Sequence, residues 1–451
     1  MQRRTFLKMS SVVPFGLAAL QTSTSQARIL GANDRVRLGF VGTANRGMQN
    51  LDAFATHDDV EIAALCDVDK NTLAKAAQVY ERFKPYTTGD FRTIYDRADI
   101  DGVVLATPDH WHAIQTVDAC KAGKDVYVEK PLSVTVYEGR KMVEAARKYN
   151  RIVQVGIHRR SGKIYQKLAE ENLDEKIGKV TVSRCSHMSN MAPIGIGRVE
   201  PTAPPDYLDW DMWLGPRAAR PYQENIAPYK FRWWIDYSSQ VANNGVHLID
   251  AIRWLLREHA PTAVCAMGGR FTVDDDRTIP DTMEVTYQFA SGRLLIFNHY
   301  EANGNPNMAT EPNNYYAPLG FKEFRGTNGT LYIHDSRYII KPERPGQFQE
   351  RGARMQEIVV NEEGPGTGMH RNPEHTELHA RNFVDCMKSR ETPHADVEEG
   401  HRSTTMSLIA NISLAVEDRL KWDAETERFV GNDQANQLLH YEYRSPWKLE
   451  V

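Results

Sequence analysis

The 451-residue sequence has only five cysteines, Cys66, Cys120, Cys185, Cys265 and Cys386, and no C-x-x-C pair. Thiols this scattered exclude a zinc framework or a disulfide scaffold as the basis of the fold, and mostly buried thiols are expected. No long run of one charge occurs: 55 Lys and Arg stand against 59 Asp and Glu, a net charge of -4. Nucleic acid and anionic membrane therefore have no electrostatic footprint here. No segment after the N-terminal one reaches the roughly 18 apolar residues of a membrane span. Internal repeats and long low-complexity tracts are also lacking. What is present is an ordinary globular composition, 41% hydrophobic and 25% charged. It is enough for two or more domains, with small molecules as the expected ligands.

The N-terminus differs from the rest. "MQRRTFLKMSSVVPFGLAALQTSTSQA" joins a basic start to a short apolar run and then to Ser25-Gln26-Ala27, which suits a signal-peptidase site. Residues 1–27 are thus read as an export signal, and Arg3-Arg4 before Thr5, Phe6, Leu7 and Lys8 resembles a twin-arginine leader, which carries folded proteins. The expected partner is the twin-arginine translocation machinery, and the expected location is periplasmic or secreted, with no membrane contact after cleavage. The alternative is an uncleaved basic tail on a cytosolic enzyme.

Apolar runs and helical stretches then alternate. "VRLGFV" is followed by a helix to about Thr56, "VEIAALCD" by a helix around Thr72–Phe83, "IDGVVLAT" by one around Ile114–Ala122, and "DVYVEKP" by one from about Val136 to Tyr149, before "RIVQVG". This order predicts a doubly wound parallel sheet, a Rossmann domain over residues 34–152. From 153 to 451 the pattern changes to strands joined by short turns, such as Ala290-Ser291-Gly292, with helices near 375–388 and 400–420 that could cover them. That predicts an α+β domain with an antiparallel sheet.

The first strand breaks into Gly42-Thr43-Ala44-Asn45-Arg46-Gly47. A strand that ends in a glycine turn and starts a helix presents free backbone N–H groups where a pyrophosphate binds. Ala44 stands where a middle glycine would admit the phosphates most closely, while Thr43, Asn45 and Arg46 offer hydrogen bonds and charge. Asp67, at the end of the second strand, is placed to accept hydrogen bonds from an adenosine ribose, favouring NAD over NADP.

Together with Glu129-Lys130-Pro131 and "NNGVHLID" (Asn243 to Asp250), this turn resembles the glucose–fructose oxidoreductase, inositol dehydrogenase and MocA (Gfo/Idh/MocA) family. "TPDHWH" (107–112), "DWDMWLGP" and "YRSPW" look like an exported twin-arginine branch. The resemblance implies a Rossmann domain joined to a domain with a large open antiparallel sheet, and a homo-dimer or homo-tetramer. It implies that Lys130 meets the reacting hydroxyl, that His247 is the acid/base, and that Thr107, Pro108, His112 and Glu129 lie along the cofactor. Family dehydrogenases carry an aspartate four residues before the histidine; this chain has Asn243, which can orient an imidazole but cannot stabilise its cation as a carboxylate does.

Asn243, His247 and Asp250 share one face if their segment is helical, a polar stripe that points toward a site, and Asp250 is read as a substrate-binding residue. His247 could instead be a structural histidine. His158 and Arg159 in "GIHRRS" either reach carbohydrate or are surface residues. Trp234 and Tyr237, in a stretch rich in aromatics, either stack on sugar rings or pin a long loop. Asp109, His110 and His112 need no metal to explain them, and none is expected.

The function read from this is an exported oxidoreductase acting on a secondary alcohol of a sugar, polyol or glycoside, with NAD held tightly and recycled in the site. One alternative is a redox-neutral glycoside hydrolase, in which transient oxidation permits elimination and a final reduction restores NAD. Another is a non-catalytic binding protein that keeps the dinucleotide fold.

Overall fold

The first six strands, β1 (Val36–Val41), β2 (Val60–Cys66), β3 (Tyr86–Thr88), β4 (Gly102–Leu105), β5 (Asp125–Val128) and β6 (Val153–Val155), form a parallel sheet in the order β3-β2-β1-β4-β5-β6. Every residue of β4, β5 and β6 is buried, as a sheet covered on both faces requires. The computed structural model that gives this architecture describes residues 35–304, 322–334, 337–348, 352, 354–361 and 373–451. The leader read at 1–27 lies outside them.

Helix α1 (Asn45–Ala55) and helices Lys70–Val79, His112–Lys121 and Val136–Lys148 make the crossovers. The second is shorter than its expected span because Asp69 caps its start, accepting from Asn71 N and Thr72 N, and Tyr80 closes its last turn. Thr135 and Glu138 form a reciprocal capping box at the start of Val136–Lys148. Strand order reverses between β1 and β4, so a crevice opens at the carboxyl ends of these strands.

The second sheet has ten strands, in the order β14-β13-β12-β11-β7-β10-β9-β8-β15-β16. Its members are β7 (Val180–Met188), β8 (Pro261–Gly269), β9 (Thr282–Phe289), β10 (Leu294–Tyr300), β11 (Lys322–Gly326), β12 (Gly329–His334), β13 (Arg337–Pro342), β14 (Ile358–Asn361), β15 (Leu420–Asp423) and β16 (Arg428–Phe429). The large antiparallel sheet expected is present with one parallel pair in it: β7 and β10 run side by side, Leu294 opposite Val182 through Tyr300 opposite Met188, so the sheet is mixed. The long chain between them, which includes helix Val246–Leu255, β8 and β9, makes that pairing possible.

The two helices expected over this sheet divide their roles. Val397–Val416 does lie against it, with Met406, Ile409 and Ala410 in its core and Met406 O accepting from Tyr287 Oη. Pro373–Ser389 instead packs on the first sheet: Phe383 meets Phe54 at 6.1 Å and Tyr127 at 5.9 Å, and Val384 and Met387 join the same core as Val36 and Phe40. Tyr443 and Trp447 of the C-terminal segment also pack against the first domain.

Between β7 and helix Val246–Leu255 runs the aromatic-rich segment, which crosses to the first domain as a strap. Lys70 N donates to Tyr207 O, and Asp209 N to Val68 O. Its own core stacks Trp210 on Trp213 at 4.8 Å among Ile226, Phe231, Trp234 and Tyr237. Four of the five thiols are buried, and all five are free.

Candidate active site

The crevice beside β1 and β4 becomes a roofed cleft of about 330 Å³. The turn after β1, the ends of β2, β4 and β5, and the strap all line it. Gly42 sits at φ +84, and a Cβ there would come within 2.6 Å of Ala106 O; one on Gly47 would come within 2.0 Å of Gly42 O. Only glycine allows this strand and helix to meet so closely. Helix α1 starts at Asn45 with no side-chain cap at Ala44 and no acid in its first turn, leaving unpaired N–H groups for a pyrophosphate. Ala44, Asn45 and Arg46 line the cleft, and Arg46 Nη2 is buried with no hydrogen-bond partner among the described residues. An uncapped helix start, a glycine turn that no Cβ could enter and an orphaned guanidinium nitrogen together fit a dinucleotide.

Not every residue expected to hold the cofactor faces it. Thr43 is turned under the loop, its N and Oγ1 donating to Asp67 Oδ2 at 2.8 and 3.1 Å. Asp67 reaches the cleft wall and also accepts from Asp69 N; burial pushes its carboxyl above the usual carboxylate range. Arg46 directs Nε to Glu129 Oε1 at 2.7 Å, so much of its charge is taken by that buried carboxylate, which also accepts from Asn50 Nδ2. Thr107 and Pro108 line the cleft. His112 does not: its ring bridges Pro131 O at 2.8 Å and Thr107 O at 3.0 Å, fixing two loop backbones against each other.

At the end of β5, Lys130 enters the cleft and donates from Nζ to Asn243 O at 2.8 Å. Burial brings the Lys130 ammonium down to about 8, partly opposed by Glu129. Asn243 belongs to a π-helical turn, Val241–Gly245, that runs into helix Val246–Leu255 and so carries His247 one turn further on. The His247 ring lies 4.9 Å from that of His158, and neither Nδ1 has a hydrogen-bond partner among the described residues. Burial, with Lys130 and Arg159 nearby, holds the His247 imidazole far below its ordinary value; burial, with Arg46 and Arg159, does the same to His158. Two neutral imidazoles beside a lysine can accept hydrogen bonds from hydroxyls.

Asp250, expected on the same stripe, is turned into the protein. It accepts from Arg160 Nε and Nη2 at 2.9 and 2.8 Å and from Ser403 Oγ at 2.6 Å, and is 1% exposed. Trp234 and Tyr237 also pack inside the strap: the Trp234 indole donates to Asn225 O, and Tyr237 lies against His110 and Trp213. Other strap residues do meet the cleft, among them Tyr207, Tyr229, Phe231 and Arg232. The aromatic stretch therefore both packs and lines. Asp109, met in the sequence only beside His110 and His112 as a set that needs no metal, lines the cleft from the turn after β4; Arg232 lines it from the strap, whose lack of a periodic pattern hid it. Among the described residues no group of three His, Cys, Asp or Glu side chains could hold a metal.

Residues 36–157 match the profile of an oxidoreductase family with an NAD-binding Rossmann fold, GFO_IDH_MocA, and residues 160–327 and 367–449 match the C-terminal α/β domain of that family. A "Glycosyl hydrolase family 109 protein 1" of Shewanella sp. (strain ANA-3) is 33% identical over 167 residues, covering 32% of this chain and 36% of that protein. An "Alpha-N-acetylgalactosaminidase" of Shewanella oneidensis is 32% identical over 167 residues, with the same shares. These matches span about a third of the curated relatives' length. In fold, the chain is similar to a levoglucosan dehydrogenase in complex with NADH and levoglucosan, with a TM-score of 0.64 at 19% identity over 86% of this chain and 99% of that one. It is likewise similar to a "putative myo-inositol dehydrogenase" from Sinorhizobium meliloti 1021, with a TM-score of 0.58 at 19% identity and the same coverage.

Proposed function

The chain belongs to the Gfo/Idh/MocA oxidoreductase family, and we propose that it oxidises a secondary alcohol of a sugar, polyol or glycoside to a ketone, or runs the reverse. One observation carries this reading: Lys130 Nζ, at the mouth of the dinucleotide cleft, is bonded to the carbonyl of the helical turn that leads to His247. Bound NAD supplies the acceptor and donor of hydride. Lys130, with its ammonium brought down to about 8, takes the proton of the reacting hydroxyl. His247, kept neutral, accepts a neighbouring hydroxyl and orients the ring, or takes the proton in turn.

We further propose that NAD stays bound between turnovers. The strap roofs the cleft, and the protein is exported already folded by the twin-arginine route to a compartment where no free NAD pool is expected. A second carbonyl compound, or a later step on the same substrate, then returns the hydride.

A second reading is cleavage of a glycoside without net oxidation. It is supported by the 33% identity over 167 residues to glycosyl hydrolase family 109 proteins and by Asn243, an amide where a carboxylate would otherwise steady an imidazolium.

The test is to denature the purified protein, assay NAD in the supernatant, and expose the loaded protein to sugars and glycosides while following reduced nicotinamide. Co-purified NAD and its reduction by one class of sugar support the first reading. Release of sugar from an aryl glycoside without net reduction selects the second. A protein that is empty and also fails to bind added NAD overturns both.

A further inference from the structure

At the end of β2 the strap is bonded to the first domain in register. Lys70 N donates to Tyr207 O at 2.9 Å, Asp209 N donates to Val68 O at 3.0 Å, and Asp69 and Leu208 stand opposite each other in an antiparallel bridge between them. Asp209 also fixes the turn that follows, its carboxylate accepting from Met212 N at 2.9 Å. The side chains continue what the backbone begins. Val68 of the first domain packs with Leu208 and Tyr222 against the strap's own core. The Tyr222 ring is held edge-on to Trp210 at 5.2 Å, and its carbonyl accepts from Thr202 N at 2.9 Å.

This is the Asp67 end of the cleft, where the adenosine half of a dinucleotide falls in a sheet of this order. Asp67, Val68 and Asp69 line it from the first domain, and Tyr207, Leu208 and Tyr222 from the strap. Adenine is a flat ring with apolar faces, and any base stacks favourably on an aromatic side chain. The first domain's lining ring after β3, Phe91, offers little face: it is 3% exposed and packs on Tyr95 at 5.3 Å and Trp111 at 5.5 Å. The accessible rings come from the strap. Tyr207 lines the cleft and is 42% exposed, and Tyr222 is partly exposed. We infer that the strap is the adenine seat: Tyr207 and Tyr222, with Leu208 and Val68 beside them, hold the adenine of bound NAD. The inference rests on NAD occupying the cleft and is indifferent to which alcohol is oxidised. The two domains then grip the cofactor at different points, the glycine turn at the pyrophosphate and the strap at the base. For the base to leave, the register between Val68–Lys70 and Tyr207–Asp209 has to open.

The adenine can be made to report its own neighbours. The protein is loaded with 2-azido-NAD, whose azide is carried on the adenine, and irradiated with and without excess NAD; labelled peptides are identified by mass spectrometry. Label that NAD suppresses should fall on the strap, within residues 205–224. Label confined to first-domain peptides overturns the inference and leaves the cofactor in the cleft, whereas no NAD-suppressed label anywhere overturns the cofactor reading together with it. The labelling needs no variant, so it decides the matter even if a variant fails to fold. The two rings are then tested by exchanging bound, isotope-labelled NAD against excess unlabelled NAD. Tyr207→Ala and Tyr222→Ala should each quicken exchange at wild-type Tm, and the double variant should do so by about ten- to a hundredfold, the range of a lost base stack. Tyr207→Phe and Tyr222→Phe should exchange at the wild-type rate, because the ring face and not the hydroxyl makes the contact. Wild-type exchange in the folded double alanine variant overturns the assignment of the two rings.

Discussion

Lys130 Nζ donates to the carbonyl of Asn243 at 2.8 Å, a bond that joins the rim of the parallel sheet to the helix carrying His247. It places the ammonium over the cleft without using the Asn243 side chain. Replacing Lys130 by alanine should lower kcat/KM by about 10²–10⁴-fold, the range of a lost acid–base group, with bound NAD unchanged, because the uncapped start of α1 remains. Turnover equal to wild type would remove Lys130 from the reaction.

The pH profile should follow the same nitrogen. The Lys130 ammonium is brought down to about 8, and only the free amine can accept the hydroxyl proton. Oxidation should therefore be slow at acid pH and rise through an apparent pKa near 8. His247 is held far below its ordinary value, so it is already neutral across this window and adds no limb between about pH 5 and 8. A rate profile flat from about pH 6 to 9 would contradict this.

Gly47→Ala should damage both folding and cofactor binding. The added Cβ would lie 2.0 Å from Gly42 O, a backbone atom that cannot swing aside. A loss of about 1–3 kcal/mol in stability is expected from overpacking, seen as a lower Tm, together with loss of co-purified NAD. Wild-type NAD content would show that the turn does not hold the pyrophosphate.

Asp250→Asn should act on stability and leave substrate affinity alone. The carboxylate is 1% exposed and faces Arg160, itself 4% exposed. Breaking such a pair costs about 3–5 kcal/mol, so denaturant unfolding should shift while KM for the best substrate stays within about twofold. A change confined to KM would return Asp250 to the substrate.

The roof should be loosened from behind. Trp447 packs edge-on against Trp111 at 4.8 Å, and Trp111 lines the cleft; Arg444 Nε donates to Gly215 O in the strap. Trp447→Ala removes an aromatic pair worth about 0.5–1.5 kcal/mol, and NAD release followed by fluorescence should quicken by up to about tenfold. An unchanged release rate would mean that the strap does not retain the cofactor.

The first sheet was legible because its strands are buried on both faces and so read as unbroken apolar runs, "VRLGFV" and "IDGVVLAT" above all. Lys130 and the glycine turn were legible for a related reason, since each sits where such a run ends. Asp250 was misread because its partner Arg160 stands ninety positions upstream, and no spacing along a helix reveals a partner that far away. Arg232 is brought to the cleft by a strap whose course is fixed by Trp210, Trp213 and Phe231 packing among themselves, and that packing has no period. The parallel pairing of β7 with β10 was hidden in the same way, because strands joined by short turns read as neighbours whichever way they finally lie.

Phe383 closes against Phe54 and Tyr127 from a helix made long after the sheet it covers. The nucleotide-binding half is consequently not a detachable cassette. Cut away at residue 152, it would expose a greasy socket shaped for a missing plug and would stick to its own kind, and during synthesis its interior must wait, half dressed, until the ribosome has delivered almost the whole chain.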